Sequence, residues 1–273
     1  MNILLVSPLG FPINKDSRYA GIEALVYNYS VELSKSHSVT VMGHSQSVFP
    51  RKVKHLKTDP TGLEPFAMAE RQQFQSYQYV LHEFDVIHDF SHQHWASRIV
   101  SNLPSLNIFW HAPNEVQYSK SPYNIIGLSQ WACRMFERYY HQKARFQISI
   151  ALDTNLYVPK GKRGDRFLTI GRMGAEKGNL DAAVLCKEMN VPLDIAGQAG
   201  DQKYLDAILS LCDDKIRYLG EVTEAEKITL MQSCKALIYY LKRPEVTSHK
   251  VQECMLCGAP VITSNIGALP EII

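Results

Sequence analysis

Short apolar runs alternate with longer polar or amphipathic stretches along the first half of the chain. The run NILLVS at 2–7 precedes a loop rich in Gly, Pro and Asn. Apolar residues then recur at three- and four-residue spacing from Ile22 to Leu33, before the run SVTVM at 38–42. This succession predicts a strand, a helix and a second strand, which begin a parallel α/β sheet. Similar patterns predict strands at 84–88, 106–110, 124–128 and 146–150 and a helix within 129–145.

The same alternation restarts after the polar stretch at 159–165, which we interpret as a linker. The second half predicts strands at 167–170, 192–196, 216–219, 236–241 and 260–263, with helices at about 178–189, 201–212, 223–234 and 247–257. Thr223 followed by Glu226 has the spacing of a capping box, which marks a helix start. We therefore expect an α/β protein of two Rossmann-like domains, 1–154 and 155–273, whose sheets face a cleft lined by the loops after the strands.

Composition excludes several other classes of protein. The chain has 273 residues, 45% of them hydrophobic and 21% charged, with a formal net charge of +2. A disordered chain or a nucleic-acid coat is therefore not expected. No apolar run approaches the roughly 18 residues of a transmembrane helix, and the start MNILLVSP lacks the basic region of a signal peptide. The cysteines lie in apolar segments, as expected of reduced thiols in the cytoplasm, and Cys254 and Cys257 are expected to be structural.

Two cations follow the predicted strand at 167–170. The loop GRMGAEKG at 171–178 places Arg172 and Lys177 near the start of the next helix, and Gly171 allows a close turn of the backbone. Two cations beside the positive end of a helix form an anion site, most naturally for a diphosphate. A solvated loop with ordinary surface charges is the alternative.

Two carboxylates follow the predicted strand at 236–241. Glu245 lies in the loop, and Glu253 lies eight positions later on a predicted helix. If a diphosphate binds nearby, the hydroxyls of an attached sugar and ribose need acceptors, and two carboxylates could supply them. Two surface acids on a helix are the alternative.

Taken in order, these motifs resemble a known family. GRMGAEKG at 171–178, the pair Glu245 and Glu253, and GAPVITSNIGALPEI at 258–272 resemble the retaining glycosyltransferases of family 4, which have the GT-B fold. Weaker similarities in the first half are YAGIEALVYNYSVELSKSHSVTVMGH at 19–44, FDVIHDFSH at 84–92 and NIFWHAPN at 107–114. The resemblance implies transfer of a sugar from a UDP- or GDP-sugar to an unknown acceptor, in glycan, glycolipid or polysaccharide biosynthesis. No metal or other cofactor is implied.

The resemblance also implies roles for particular residues. Arg172 and Lys177 would hold the donor diphosphate and stabilise the leaving nucleotide. Glu253 would accept the ribose hydroxyls, and Glu245 would contact the transferred sugar. His111 would lie beside the sugar, across the cleft. The remaining positions implied to bind the donor are Gly21, Gly171, Leu219 and Ser248.

The chain departs from the family pattern at several places. Ala20 stands where the first of two glycines is usual, 246–248 replaces a small-residue turn, and 151–153 replaces an Asn-Gly-Val-Asp segment. Two rival functions therefore stay open: a nucleotide-sugar epimerase of the same fold, and a non-catalytic subunit that binds nucleotide or scaffolds a partner. Family members also continue beyond the Pro-Glu-Ile-Ile step, so we expect a second domain without its last strand and helices, its edge covered by a partner or by self-association.

Two further clusters have less specific interpretations. The segment HDFSHQH at 88–94 has metal-ligand spacing, but we favour a cleft wall or a structural role and expect no metal. Aromatic and basic residues crowd 118–140, which predicts an amphipathic core helix with a solvated basic face. The alternative is an acceptor surface or a peripheral contact with the cytoplasmic face of a membrane.

Overall fold

The computed structural model of the chain describes residues 1–14, 21–59, 66–100, 104–109 and 124–273. Its internal contacts divide it into two compact units, Met1–Ser149 and Ile150–Ile273. The predicted limits of 154 and 155 lie a few residues beyond this division. Each unit has its own parallel sheet, and each is described by itself.

Unit 1 contains a seven-stranded sheet in which all neighbouring strands are parallel. Its order is β3-β2-β1-β4-β5-β6-β7. The strands are β1 Asn2–Val6, β2 Ser38–His44, β3 Val53–Thr58, β4 Val86–Asp89, β5 Ser105–Ile108, β6 Ile125–Gly127 and β7 Phe146–Gln147. The interior strand β1 is buried from Ile3 to Val6, as its continuous apolar run predicts.

The described helices of unit 1 are α1 Gly21–Leu33, α2 Phe66–Tyr77, α3 Trp95–Ile99 and α4 Gln130–Tyr140, with a 3₁₀ helix at Gln78–Glu83. Helix α4 begins where the Ser129 hydroxyl accepts a hydrogen bond from the N–H of Ala132, 3.0 Å away. It buries Ala132 and Phe136 and exposes Arg134 and Arg138. The basic stretch therefore has the amphipathic form that the sequence predicts, within the part of it that the structure describes.

The hydrophobic pattern missed four elements of unit 1, namely β3, α2, α3 and the 3₁₀ helix at Gln78–Glu83. Strand β3 has the sequence VKHLKT and only Val53 is buried, because it forms an edge of the sheet and needs few apolar residues. Helix α2 has as many polar as hydrophobic residues, six of each. Its burial depends on contacts with the sheet and with α3 rather than on a strong local pattern.

Unit 2 contains a five-stranded parallel sheet with the order β10-β9-β8-β11-β12. The strands are β8 Phe167–Ile170, β9 Leu193–Ala196, β10 Ile216–Tyr218, β11 Leu237–Tyr239 and β12 Val261–Thr263. The helices are α5 Asn179–Glu188, α6 Gln202–Leu209, α7 Glu224–Ser233, α8 His249–Leu256 and α9 Leu269–Ile272, with a 3₁₀ helix at Ala175–Lys177. All five predicted strands and four predicted helices are present, and α9 was not predicted. The capping box is also confirmed, because Thr223 and Glu226 bond each other's backbone N–H at the start of α7.

Two clusters of buried side chains form the core of unit 2. One cluster includes Leu168 and Leu237, and the other includes Ile195 and Ile238. Because Leu237 and Ile238 are consecutive in β11, the two clusters lie on opposite faces of the sheet. All six cysteines are free thiols, and Cys254 and Cys257 are fully buried in the first cluster.

Glu23 is a buried carboxyl group in the first turn of α1, with 5% of its surface exposed. Burial raises its pKa from 4.5 to about 7. Glu70 in α2 is also buried, and burial likewise raises its pKa to about 7. A carboxyl group with a raised pKa binds a proton more tightly in the folded state than in the unfolded chain. The free energy of unfolding of unit 1 should therefore fall as the pH rises from about 4.5 through 7.

Glu23→Gln has no carboxyl group to ionise at this position, so its free energy of unfolding should fall less with pH than that of the wild type. We expect the difference between variant and wild type to shift by about 2 kcal/mol in favour of the variant from pH 5 to pH 8. Urea unfolding followed by Trp fluorescence measures unit 1 alone, because all three tryptophans lie between residues 1 and 149. Glu32→Gln, at an exposed position of the same helix, is the matched control. A variant that loses stability with pH as steeply as the wild type would contradict the assignment.

Candidate functional site

The loop after β8 lies tightly against the backbone that follows β11. Gly178 ends the 3₁₀ helix with φ of +63°, and a Cβ at this position would overlap the carbonyl oxygen of Tyr240. Only glycine therefore allows the two backbones to approach this closely. The approach brings Lys177, one residue earlier, to the segment that carries Glu245.

Lys177 and Glu245 form an ion pair between Nζ and Oε1. The other carboxylate oxygen of Glu245 accepts a hydrogen bond from the Tyr239 hydroxyl at 3.0 Å. Burial and the charge of Glu245 hold the pKa of Tyr239 well above its usual range, so this hydroxyl remains a donor. The backbone carbonyl of Glu245 also accepts from the N–H of Ala268, 3.0 Å away. The carboxylate is thus fixed at the carboxyl ends of β8 and β11.

Glu253 lies on α8 and is 5% exposed. Its carboxylate forms an ion pair with Lys227 Nζ at 2.9 Å and accepts a hydrogen bond from the Tyr157 hydroxyl at 3.0 Å. Lys227 is also 2.9 Å from Glu224, which contacts the same Tyr157 hydroxyl. Four side chains from three segments of unit 2 therefore hold one another in place.

The charges in this cluster keep Glu253 and Lys227 ionised. Burial alone would raise the pKa of Glu253, but Lys227, Lys250 and His249 together lower it below its ordinary value. Burial would lower the pKa of Lys227, yet the carboxylates of Glu253 and Glu224 raise it. Glu253 is therefore a carboxylate at neutral pH and can accept hydrogen bonds from hydroxyl groups.

Arg172 follows Gly171 and forms an ion pair with Glu176, one turn further along the loop. Its side chain is 42% exposed, so solvent screens this pair and it contributes little to stability. The guanidinium can exchange this partner for an incoming anion at small cost.

The structure places the remaining predicted residues as follows. Gly21 is exposed at the first position of α1 in unit 1. Leu219 follows β10 and is 39% exposed, and its N–H is already donated to the carbonyl of Ile195. Ser248 is 3% exposed and its hydroxyl caps α8. His111 lies outside the described residues.

Tyr157 and Lys227 were missed as site residues from the sequence. Tyr157 lies 96 positions from the carboxylate that it contacts, and no local pattern signals such a pairing. Lys250 adds a further charge beside Ser248, and it precedes Glu253 by three positions on one face of α8.

The histidine-rich segment of unit 1 is held by hydrogen bonds to two buried carboxylates. Asp89 is fully buried, and its Oδ1 accepts hydrogen bonds from the N–H and hydroxyl of Ser91 at 2.9 and 2.6 Å. His94 Nδ1 is 3.6 Å from the same oxygen. Glu70 accepts the N–H groups of His92 and Gln93 at 2.9 and 2.7 Å. Among the described residues, no group of three or more His, Cys, Asp or Glu is arranged to hold a metal ion.

The part of the chain that carries the site is similar to known proteins. Residues 158–273 match the family Glycosyl transferases group 1. The matched region contains the β8 loop, Glu245, Glu253 and Lys227, so the match supports sugar transfer by this domain. Among curated proteins, no sequence matches the chain significantly.

Solved structures, two of them described as glycosyltransferases, share the fold of the whole chain. AviGT4, involved in avilamycin A biosynthesis, is 20% identical with a TM-score of 0.72, over 99% of this chain and 81% of that one. Anabaena Alr3699/HepE in complex with UDP is 18% identical with a TM-score of 0.74, over 100% and 83%. WaaG, involved in lipopolysaccharide biosynthesis, is 12% identical with a TM-score of 0.71, over 98% and 82%. These matches confirm the predicted GT-B fold.

One negative finding concerns membranes. Across the parts of the chain that the structure describes, every helix is too short or too polar to span a bilayer.

Proposed function

We propose that this protein is a retaining glycosyltransferase of family 4 that transfers a sugar from a UDP- or GDP-sugar to an acceptor. We further propose that it acts in the cytoplasm in polysaccharide, glycan or glycolipid biosynthesis. Support comes from the glycosyltransferase group 1 match over unit 2. The structures of HepE with UDP and with UDP-glucose favour a uridine nucleotide as the donor.

The observation that carries the proposal is the meeting of cations and carboxylates at the carboxyl ends of two neighbouring strands. Lys177 follows β8 and pairs with Glu245, which follows β11. Ligands of open parallel sheets bind at this edge. A cation fixed here can hold a diphosphate, and a carboxylate fixed beside it can bind the hydroxyls of the attached sugar.

The reaction follows from these roles. Arg172 and Lys177 neutralise the diphosphate and stabilise the negative charge that develops on the leaving nucleotide, so no metal is needed. Glu253 binds the ribose hydroxyls, because it is ionised and held by Lys227 and Tyr157. Glu245 orients the transferred sugar. His111 is proposed to contact that sugar as well.

Calorimetric titration with UDP and GDP tests the donor site. We expect micromolar to millimolar binding of one of them, and Arg172→Ala to weaken it about 10- to 100-fold through loss of a charge-assisted contact to phosphate. Lys187→Met is the matched control, because Lys187 is an exposed cation of unit 2 that pairs with Asp213. Absence of binding by the wild type, or equal affinity of Arg172→Ala, would overturn the proposal.

Incubation of the purified protein with nucleotide sugars, in the presence of a chelator, separates the rival functions. Transfer to an added acceptor with unchanged anomeric configuration, read by NMR, supports the proposal and its independence from metal. Isomerisation of the donor without an acceptor would instead identify an epimerase. Nucleotide binding without turnover on any donor would identify a non-catalytic subunit.

A further inference from the structure

Lys250 is a cation of the site that forms no close ion pair with any carboxylate of the described residues. Arg172 pairs with Glu176, Lys177 with Glu245, and Lys227 with both Glu224 and Glu253. Among the described residues, the half-buried Lys250 makes no ion pair and no side-chain hydrogen bond. Its ammonium group is therefore available to an anion that enters the site.

The position of Lys250 directs it toward the loop after β8. It is the second residue of α8, and its Cε lies 4.0 Å from the position that a Cβ on Gly171 would occupy. The ammonium group therefore lies beside the turn from which Arg172 extends. Cations from β8 and from α8 thus converge on one region of unit 2.

The backbone at the same place also has free donors. The Ser248 hydroxyl caps α8 by accepting from the N–H of Val251. The N–H groups of His249 and Lys250 have no hydrogen-bond partner among the described residues. Free N–H groups at a helix start favour an anion, so the donors of the backbone and of the Lys250 side chain serve the same kind of ligand.

The electrostatic surroundings of Lys250 favour a doubly charged anion. Burial lowers its pKa from the ordinary value, and the cations Lys177 and Lys227 lower it further. Glu253 and Glu245 act in the opposite direction but do not restore it. The neighbouring His249 stays neutral, because burial lowers its pKa to about 4. A diphosphate would supply the negative charge that this group of cations lacks.

We propose that Lys250 is a third cation of the donor site, which binds the diphosphate of a nucleoside diphosphate sugar together with Arg172 and Lys177. The inference rests on the function proposed above, whose donor is already a nucleoside diphosphate sugar, and adds a residue that binds its diphosphate. A third cation at this place should contribute more to the binding of UDP and of pyrophosphate than to the binding of UMP.

Titrations with UDP, UMP and inorganic pyrophosphate test this assignment. We expect Lys250→Met to weaken UDP binding about 10- to 100-fold and UMP binding less than about threefold. Pyrophosphate binding should fall in parallel with UDP binding. The control is Lys242→Met, which removes an exposed cation of unit 2 that pairs with Asp181. If GDP is the nucleotide that the wild type binds, GDP and GMP replace the uridine nucleotides.

The pH dependence of UDP binding distinguishes a lysine that contacts the diphosphate from a lysine with a purely structural role. The wild type should take up a fraction of a proton on binding UDP at alkaline pH below 10.5, because the diphosphate raises the depressed pKa of Lys250. Its affinity should accordingly fall as the pH rises through the free-state pKa of Lys250. Lys250→Met should show neither effect, and Lys250→Arg should recover most of the affinity.

Three outcomes would overturn the inference. Equal UDP affinity of the wild type and Lys250→Met would do so while leaving the proposed function intact. An equal loss of UDP and UMP binding, with no recovery in Lys250→Arg, would identify a structural role. A wild type that binds neither UDP nor GDP would remove both proposals together. Hydrogen exchange of α8 verifies that each variant is folded.

Discussion

Replacing Gly197 with Ala is expected to destabilise unit 2 by about 4 kcal/mol. Gly197 follows β9 with φ of +143°, which L side chains rarely adopt, and a Cβ there would overlap the carbonyl oxygen of Gly171. The two loops cannot separate easily, because the N–H of Gly171 donates to the carbonyl of Ala196 at 3.0 Å. Nucleotide binding should be lost as well, since Arg172 follows Gly171 directly.

Hydrogen exchange of peptides from 150–273 measures this effect, while Trp fluorescence should show an unchanged unit 1. Gly161→Ala provides the control. Gly161 also has a positive φ, of +72°, but a Cβ there would meet no atom within 4 Å. Gly161→Ala should lower the free energy of unfolding of unit 2 by only about 1 kcal/mol. If both variants lower the free energy of unfolding of unit 2 by the same small amount, local movement relieves the overlap with Gly171 and the two loops are not rigid.

The second large effect is expected at the pair Glu253 and Lys227. Their side chains are 7% and 16% exposed, so Lys227→Met leaves the Glu253 carboxylate without its ion pair in a nearly dry environment, whereas Glu253→Gln leaves Lys227 paired with Glu224. We expect Lys227→Met to lower the free energy of unfolding of unit 2 by about 3 kcal/mol and Glu253→Gln to lower it by less. The double variant should lose clearly less than the sum, because it leaves neither charge unpaired.

The same variants separate stability from binding. Glu253→Gln removes the carboxylate proposed to bind the ribose, so nucleotide affinity should fall even at temperatures where the variant is folded. Lys227→Met keeps that carboxylate but loosens it, so a smaller loss of affinity is expected. Urea unfolding followed by hydrogen exchange of α8, together with nucleotide titration, gives both quantities. Additive losses of stability would show that the two charges do not depend on each other.

The order of elements in unit 2 was predictable because its three interior strands, β9, β8 and β11, are buried and mostly apolar. Strand β8 has the sequence FLTI and β9 the sequence LDIA, and Thr223 with Glu226 marks a helix start by side-chain chemistry alone. Strand β3 was missed because an edge strand with one buried residue carries no such run. Pairing across the sheet, rather than propensity, decides its conformation.

The site was predictable only in part, for a related reason. Arg172, Lys177, Glu245 and Glu253 belong to short motifs that follow strands, so the sequence indicates them directly. The side chains that hold these residues in place do not belong to such motifs. Tyr157, for example, lies 96 positions from Glu253, and no spacing in the sequence links the two residues. The implied role of Ser248 as a ligand stays a prediction, and its hydroxyl caps α8 by accepting the N–H of Val251.

The position of β8 in the centre of its sheet has a consequence for how the site is assembled during folding. Strand β9 follows β8 closely along the chain, so the contact between Gly171 and Gly197 closes a short loop and can form early. Lys177 and Glu245 are 68 positions apart, and their pairing must wait until β11 joins the other side of β8. We therefore expect the cation loop to form before the carboxylates join it, and the proposed donor site to be complete only in a chain whose unit 2 has folded as a whole.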